Sequence, residues 1–217
     1  MMFDFQCEIH KRLAELNLKG CLTYDCFGAG QKVTQSVYQN IDWQKNPDRA
    51  DEIFKVFIIV TKLHQILWYL IQASTICDDS DLMSVFNQLI EENKKMTNMT
   101  PQEILMIDVQ GYMDKANVAL KKICKLEPGE VNKDFIGHDF KKENLDGRDF
   151  TMSLLIGANL QGCSLKGTNF LGADMRGANI KDTDLSSSLF LTQMQFNSTL
   201  GNSATRIPEY LTRPTCW

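Results

Sequence analysis

Four residues near the start of the chain have the chemistry of metal ligands. Cys7 and His10 stand three apart, and Cys21 and Cys26 stand five apart. On a helix, a spacing of three puts Cys7 and His10 on one face. Thiolate and imidazole are the ligand types that zinc takes in tetrahedral sites. The four are therefore candidate metal ligands, with zinc the cofactor they would hold. Against this, the Cys21–Cys26 gap is loose for a ligand pair and no C-x-x-C is present. Buried cysteines that only pack are the commoner use of the residue.

Other chemistry has less to build on. Gly28-Ala29-Gly30 has neither the third glycine nor the Lys-Ser/Thr of a phosphate-binding loop. A turn at a helix end is the simpler reading. His10, His64 and His138 lie far apart in sequence, and none sits in a catalytic motif. His64 is expected to be a hydrogen-bonded, partly buried group. No catalytic residues are assigned, and a non-enzymatic protein is expected.

The totals describe an ordinary globular chain. It has 217 residues, 43% apolar and 23% charged, with a net charge of −4. A nucleic-acid binder would show a basic patch, so no direct nucleic-acid partner is expected. The first twenty residues carry Asp4, Glu8, Lys11, Arg12 and Glu15 with no apolar stretch of a secretory signal. The longest apolar run, residues 53–71, is broken by Lys55, Lys62, His64 and Gln65. Lys55, Lys62, Gln65 and Gln72 share one side of a helix, so a largely buried helix is expected there and no membrane partner. Seven cysteines without an export signal point to reduced thiols in a cytoplasmic protein. Asn98-Met99-Thr100 and Asn197-Ser198-Thr199 fit the glycosylation sequon, read here as chance.

The strongest pattern is a period of five. Phe135, Phe140, Leu145, Phe150, Leu155, Leu160, Leu165, Phe170, Met175, Ile180, Leu185 and Phe190 are all large and apolar. In a fixed register chance gives this on the order of 10⁻⁵ of the time. The residue before each is usually Asp or Asn, as at Asp134, Asp139, Asn144, Asp149 and Asn159. Two before, the second half has small residues: Ser153, Ala158, Cys163, Thr168, Ala173, Ala178, Thr183 and Ser188. Gly recurs at 137, 147, 157, 162, 167, 172 and 177. Five fits neither a helix nor a plain strand. It fits a coil that turns a corner every five residues, with one large and one small residue inward on each side and Gly easing the corners. Four sides make a coil of about twenty residues, so about three coils are expected, about 15 Å tall at strand spacing.

This resembles the pentapeptide-repeat family, whose pattern is A-(D/N)-L-x-x. The clearest matches are Ala158-Asn159-Leu160, Ala173-Asp174-Met175 and Ala178-Asn179-Ile180. The resemblance implies a right-handed quadrilateral parallel β-helix. With the helices read below, the fold class is α+β. The first four repeats depart from the pattern, because Lys133, His138, Glu143 and Arg148 occupy the small inward positions. An unpaired charge cannot sit in so narrow a core. The first coil is therefore expected to be open, or its long side chains to reach past the end of the column. Residues 151–190 would then be the regular part.

Both ends of so short a column need a cover. At the C-terminal end, Thr192 can cap a helix over residues 192–200 that Gly201 ends, followed by a tail with Pro208 and Pro214. Phe190-Leu191-Thr192-Gln193 and Leu211-Thr212-Arg213-Pro214-Thr215-Cys216-Trp217 resemble the ending of a bacterial subgroup of the family, in which the tail folds over the last coil. Trp217 is read as packing. Phe5-Gln6-Cys7-Glu8-Ile9-His10 and the stretch from Cys21 to Gln31 resemble the same subgroup. Its members often carry a further cysteine-rich piece upstream, similar to zinc- or iron-chelating domains. Here Met1 stands six residues before Cys7, so either this member lacks that piece or its start is incomplete.

Between these parts, residues 48–127 read as three helices. The first spans 49–73. The second spans 81–95 with Ser80 as cap and Leu82, Val85, Phe86, Leu89 and Ile90 on one face. The third spans 101–126, opened by Thr100, Pro101 and Glu103 in a capping box. Leu105, Val109, Tyr112, Ala116, Leu120 and Ile123 follow at helical spacing. A small antiparallel bundle against the open first coil is expected. The domains are then a cysteine-containing segment (1–45), a helical bundle (46–130), the repeats (131–190) and a capping tail (191–217).

Fold does not dictate function. Repeat folds bind through their flat, regular surfaces, so an interaction or scaffold protein with an unknown protein partner is the leading expectation. Some pentapeptide-repeat proteins protect topoisomerase or gyrase by mimicking DNA, which needs a long, strongly negative rod. Residues 131–190 carry eight acidic and seven basic side chains, a net of one negative charge. That argues against mimicry. A metal-binding or redox-sensing role for the N-terminal cysteines is the third reading. Family members also form homodimers through a C-terminal element. A tail folded back over the last coil would occupy that element here, so monomer and homodimer both stay open.

Overall fold

The structure is a computed structural model of the chain, and it describes residues 25–39, 41, 43–123, 133–214 and 217. The chain divides into two compact units, Met1–Ile123 and Cys124–Trp217.

In the first unit the described region is helical. It comprises α1 (Ala29–Gln31), running on into a π-helical turn (Lys32–Val37), then α2 (Ala50–Thr75), α3 (Ser80–Met96), α4 (Pro101–Leu105) and α5 (Val109–Ile123). Helix α2 is the centre, with α1, α3, α4 and α5 packed on it. Its buried residues Ile53, Val56, Val60, Leu63, Leu67 and Leu70 recur at three and four, so they form one stripe. Asp51 and Glu52 in its first turn suit the positive end of the helix dipole. By length and composition Pro47–Thr75 could cross a membrane, yet half of its most apolar window is buried within the protein, as in the core helix of a bundle. Asn93 ties three helices together. Its amide donates to the carbonyl of Leu63 (2.9 Å) and to the hydroxyl of Tyr112 (3.1 Å), which donates in turn to the carbonyl of Leu89 (2.9 Å).

Two helix boundaries differ from expectation. The cap of α3 is Asp79 rather than Ser80, because its carboxylate accepts from the amides of both Asp81 and Leu82 at 2.9 Å. The third helix is two. Thr100 and Glu103 form the expected capping box, but α4 stops at Leu105. Asp108 then accepts from the amide of Gly111 at 2.9 Å and starts a new helix. A short carboxylate that bonds the backbone locally competes with helix continuation.

In the second unit the repeat is the organising element. Parallel β-bridges join residues twenty apart: Asp134 to Leu154 to Asp174, Asp139 to Asn159 to Asn179, Asn144 to Ser164 to Asp184, and Asp149 to Asn169 to Leu189. The bridges are isolated, and no continuous strand occurs among the described residues. Pentapeptide repeats imply a β-helix, and parallel pairing at a fixed separation is what such a helix needs. The first four repeats take part in this pairing despite their charged inward positions.

Most repeats turn by the same local chemistry. The Asp or Asn accepts from the amide two residues on, as Asp134 does from Ile136 at 2.9 Å. The amide three beyond the large apolar residue donates back to its carbonyl, as from His138 to Phe135 at 3.0 Å. Two residues after the apolar position φ is positive, so glycine is favoured there; Gly167 (φ 65°) is one example. Lys142, Met152 and Asp182 adopt the same conformation without being glycine.

After Phe190 the chain forms α6 (Gln193–Asn197), with Thr192 and Gln195 in a capping box. The expected helix to residue 200 ends three residues early, because Leu200 returns to the ladder and bridges Asn179. Arg206 then bridges Asp184, so the tail extends the pairing on two sides.

Candidate interaction surface

The interior of the repeat unit is closed. Phe140, Leu145, Phe150, Leu155, Leu160, Leu165, Phe170, Met175, Ile180, Leu185 and Phe190 are buried, and Phe135, in the first repeat, is half-buried. The small residues Ser153, Ala158, Cys163, Thr168, Ala173, Ala178, Thr183 and Ser188 are buried beside them.

Most of the outer surface is polar and bonded to itself. On the side carrying Asp139, Asn159 and Asn179, each amide donates to the residue below: Asn159 to Asp139 at 2.8 Å and Asn179 to Asn159 at 3.1 Å. On the next side the Asp146 carboxylate accepts from the Ser164 hydroxyl (2.6 Å) and the Lys166 amide (2.8 Å). The Ser164 hydrogen bond, and after it the Lys166 amide, hold the Asp146 carboxyl below the usual range. Asp174 is paired with Arg176, whose hydrogen bond likewise lowers its pKa.

One side differs. Leu154 occupies the position that holds Asp134 below it and Asp174 above it, and is 37% exposed. Ile136 (55% exposed) and the half-buried Ile156 occupy positions that elsewhere hold Lys141, Gln161, Lys166 and Lys181. Met152 (53% exposed) stands at the adjoining corner, and its side chain lies across Gly172, whose missing Cβ leaves the space. The repeat geometry thus groups four apolar side chains on this side; elsewhere the outer positions are mostly polar, with the half-buried Leu171 and Leu189 as exceptions. The sequence signal was present in Leu154, which breaks the Asp/Asn column. A pattern defined by its inward residues does not reveal this side.

Cys7, His10 and Cys21 lie outside the described residues, and Cys26 is half-buried beside α1. Among the described residues no group of three or more His, Cys, Asp or Glu could hold a metal. Gly28 is the left-handed residue before α1 (φ 72°), and its carbonyl accepts from Lys32 at 3.0 Å. His64 Nδ1 bonds the carbonyl of Phe27 at 2.8 Å, and burial pushes its pKa down. Cys163 is buried with Sγ 2.9 Å from the carbonyl of Phe140, and burial raises its thiol pKa.

Comparison with known proteins agrees with the repeat. The pentapeptide-repeat family model matches residues 153–190 in eight copies. An uncharacterized protein of Bacillus subtilis, YybG, is 38% identical over 225 residues, covering 99% of this chain and 81% of that protein. A pentapeptide repeat protein from the thylakoid lumen of Arabidopsis thaliana, solved by crystallography, is 25% identical with a TM-score of 0.23. That match covers 34% of this chain and 60% of the plant chain. With twelve large apolar residues at intervals of five, bridges at a separation of twenty and a relative matched over 99% of this chain, this chain belongs to the pentapeptide-repeat proteins.

Proposed function

We propose that this protein is a non-enzymatic interaction module that binds a partner protein through the apolar side of its repeats. The observation that carries the reading is the cluster of Ile136, Met152, Leu154 and Ile156 on a mostly polar surface. Exposed apolar side chains grouped on one face and rimmed by polar residues are the usual mark of a protein contact. The scaffold we infer for it is a right-handed quadrilateral β-helix of about three coils. Four bridging columns at a separation of twenty residues support four sides per coil. The near balance of charge on the repeats favours a protein partner over mimicry of an anionic rod.

The test uses the repeat's own rules. Ile136→Lys, Leu154→Asn and Ile156→Gln install at each position a residue type found at its equivalents, Lys141, Asn159 and Gln161. The triple variant should melt like the parent. In affinity capture from the native host it should lose a partner that the parent retains, while a control changed at Lys141 and Lys181 keeps it. A triple variant that captures the same proteins as the parent would remove this side from consideration.

A further inference from the structure

Among the described residues, the first span of the repeats has no rung below it, and Arg148 lies over the aromatic end of its core. In the second span the amides of Leu154, Asn159, Ser164 and Asn169 donate to the carbonyls of Lys133, His138, Glu143 and Arg148. The corresponding amides of Asp134, Asp139, Asn144 and Asp149 have no such partner below them among the described residues. Twenty residues before Asp134 and Asp139 stand Asp114 and Ala119, which both lie in α5. The chain therefore cannot supply an in-register rung on those two sides. Lys133, Asp134, His138, Asp139, Glu143, Asn144 and Arg148 are all exposed. An exposed edge of this kind is a template for another chain.

Beneath that edge the core ends in aromatic rings. Phe135, Phe140 and Phe150 meet edge to face with centroids 5.3–5.7 Å apart. The Arg148 guanidinium lies over all three, 5.3, 5.1 and 5.1 Å from their centroids. It makes no ion pair among the described residues. The negative faces of the rings attract it there.

We infer that Arg148 is a terminal plug: it seals the aromatic end of the core and keeps the open first span from pairing with a second copy of this chain. Stacking two such ends at strand spacing would bury both guanidinium groups, together with Lys133, His138 and Glu143, between two apolar layers. Lys133 and Arg148 face Glu143 across these four positions, and Asp134, Asp139 and Asp149 stand beside them, so each end brings several charges of both signs into the contact. Desolvating those charges costs more than the exchanged backbone hydrogen bonds return. Inward-pointing charge is a known way of blunting an edge. With Arg148 replaced by an apolar residue, the same end would offer unpaired backbone around an oily centre.

Sedimentation velocity of the full chain tests this. The parent and Arg148→Lys should keep one mass over a wide range of concentration. Arg148→Leu, folded by circular dichroism, should add a species of twice the parent's own mass as concentration rises. Adding Asp139→Pro, which removes an edge amide, should reverse that association. Two results would overturn the inference. One is Arg148→Leu keeping the parent's mass at every concentration. The other is association that persists in the Asp139→Pro double variant, which would show sticky rings rather than edge pairing. If Arg148→Leu does not fold, Arg148→Gln, which keeps length and polarity without charge, is judged by the same two outcomes.

Discussion

The hydroxyl of Thr183 donates to the carbonyl of Leu160 at 2.8 Å, across 23 residues of chain. The same bond recurs from Thr168 to Leu145 and from Ser188 to Leu165, each at 2.8 Å, and from the Cys163 thiol to Phe140 at 2.9 Å. The small inward position thus does more than save space. Where it carries a donor, it stitches one span to the one before it, inside the core.

Ser153 holds this position but is fully buried, with no partner for its hydroxyl among the described residues. Counting back 23 residues leads to position 130, ahead of the first repeat and outside the described residues. Opposite effects are therefore expected from two similar changes. Thr183→Val keeps the volume and loses the bond, which should cost about 1 kcal/mol. Ser153→Ala removes an unpaired buried hydroxyl and should be neutral or stabilise by about 1 kcal/mol. Urea unfolding of both variants checks the pair, and a larger loss in Ser153→Ala than in Thr183→Val would contradict the stitching.

Acid should weaken the outer sides of the repeats. Hydrogen bonds hold the carboxyls of Asp146, Asp174, Asp182 and Asp184 below the ordinary range: from Ser164 to Asp146, from Arg176 to Asp174, from Asn202 and Gln161 to Asp182, and from Ser186 to Asp184. A carboxyl whose pKa is lower in the folded state adds stability above its unfolded value of about 3.9, and that stability is lost as pH falls through the folded value. The repeat unit should therefore lose stability as pH drops below about 4, with little change between neutral pH and 5 from these groups. Ser164→Ala should move the Asp146 carboxyl back toward its ordinary range in an NMR titration. An Asp146 titration unchanged by Ser164→Ala would contradict the assigned cause.

The repeat was legible because its signal is dense: one large apolar residue every fifth position, with Asp or Asn before it and Gly after it, leaves few other chain paths. Burial of Phe140 through Phe190 follows from that period alone. The helix break at Asp108 was not legible, because Leu105, Val109 and Tyr112 continue the helical spacing straight through it. Only the choice of Asp108 to bond Gly111 ends the run. Asp79 and Ser80 are both good caps, so sequence could not rank them, and the two-amide geometry of the carboxylate decided. The role of Arg148 was hidden for a different reason. A charged residue at an inward position looks like an error in the pattern until Phe150 of its own repeat and Phe135 and Phe140 of two others are seen beneath it.

The tail makes the last prediction. Arg213 donates to the carbonyls of Asn202 and Thr205, both at 2.6 Å, and stands 5.9 Å from the Trp217 ring centroid. The Trp217 ring packs on Phe196 with centroids 5.2 Å apart and lies over Gly201, where an added Cβ would come within 2.4 Å of the indole. Arg213 fixes the turn, and Gly201 leaves room for the ring. Arg213→Ala should therefore cost roughly 2 kcal/mol, since bonds from a charged donor are worth more than neutral ones and this one is only partly buried. Gly201→Ala should displace the indole with a smaller loss, because both Arg213 bonds survive it. The fluorescence of Trp217, isolated by replacing Trp43 and Trp68 with Phe, separates the two. Both variants should shift it to longer wavelength, and only Arg213→Ala should bring a large drop in the unfolding midpoint. A Gly201→Ala emission spectrum identical to that of its parent would mean that the indole does not rest on Gly201.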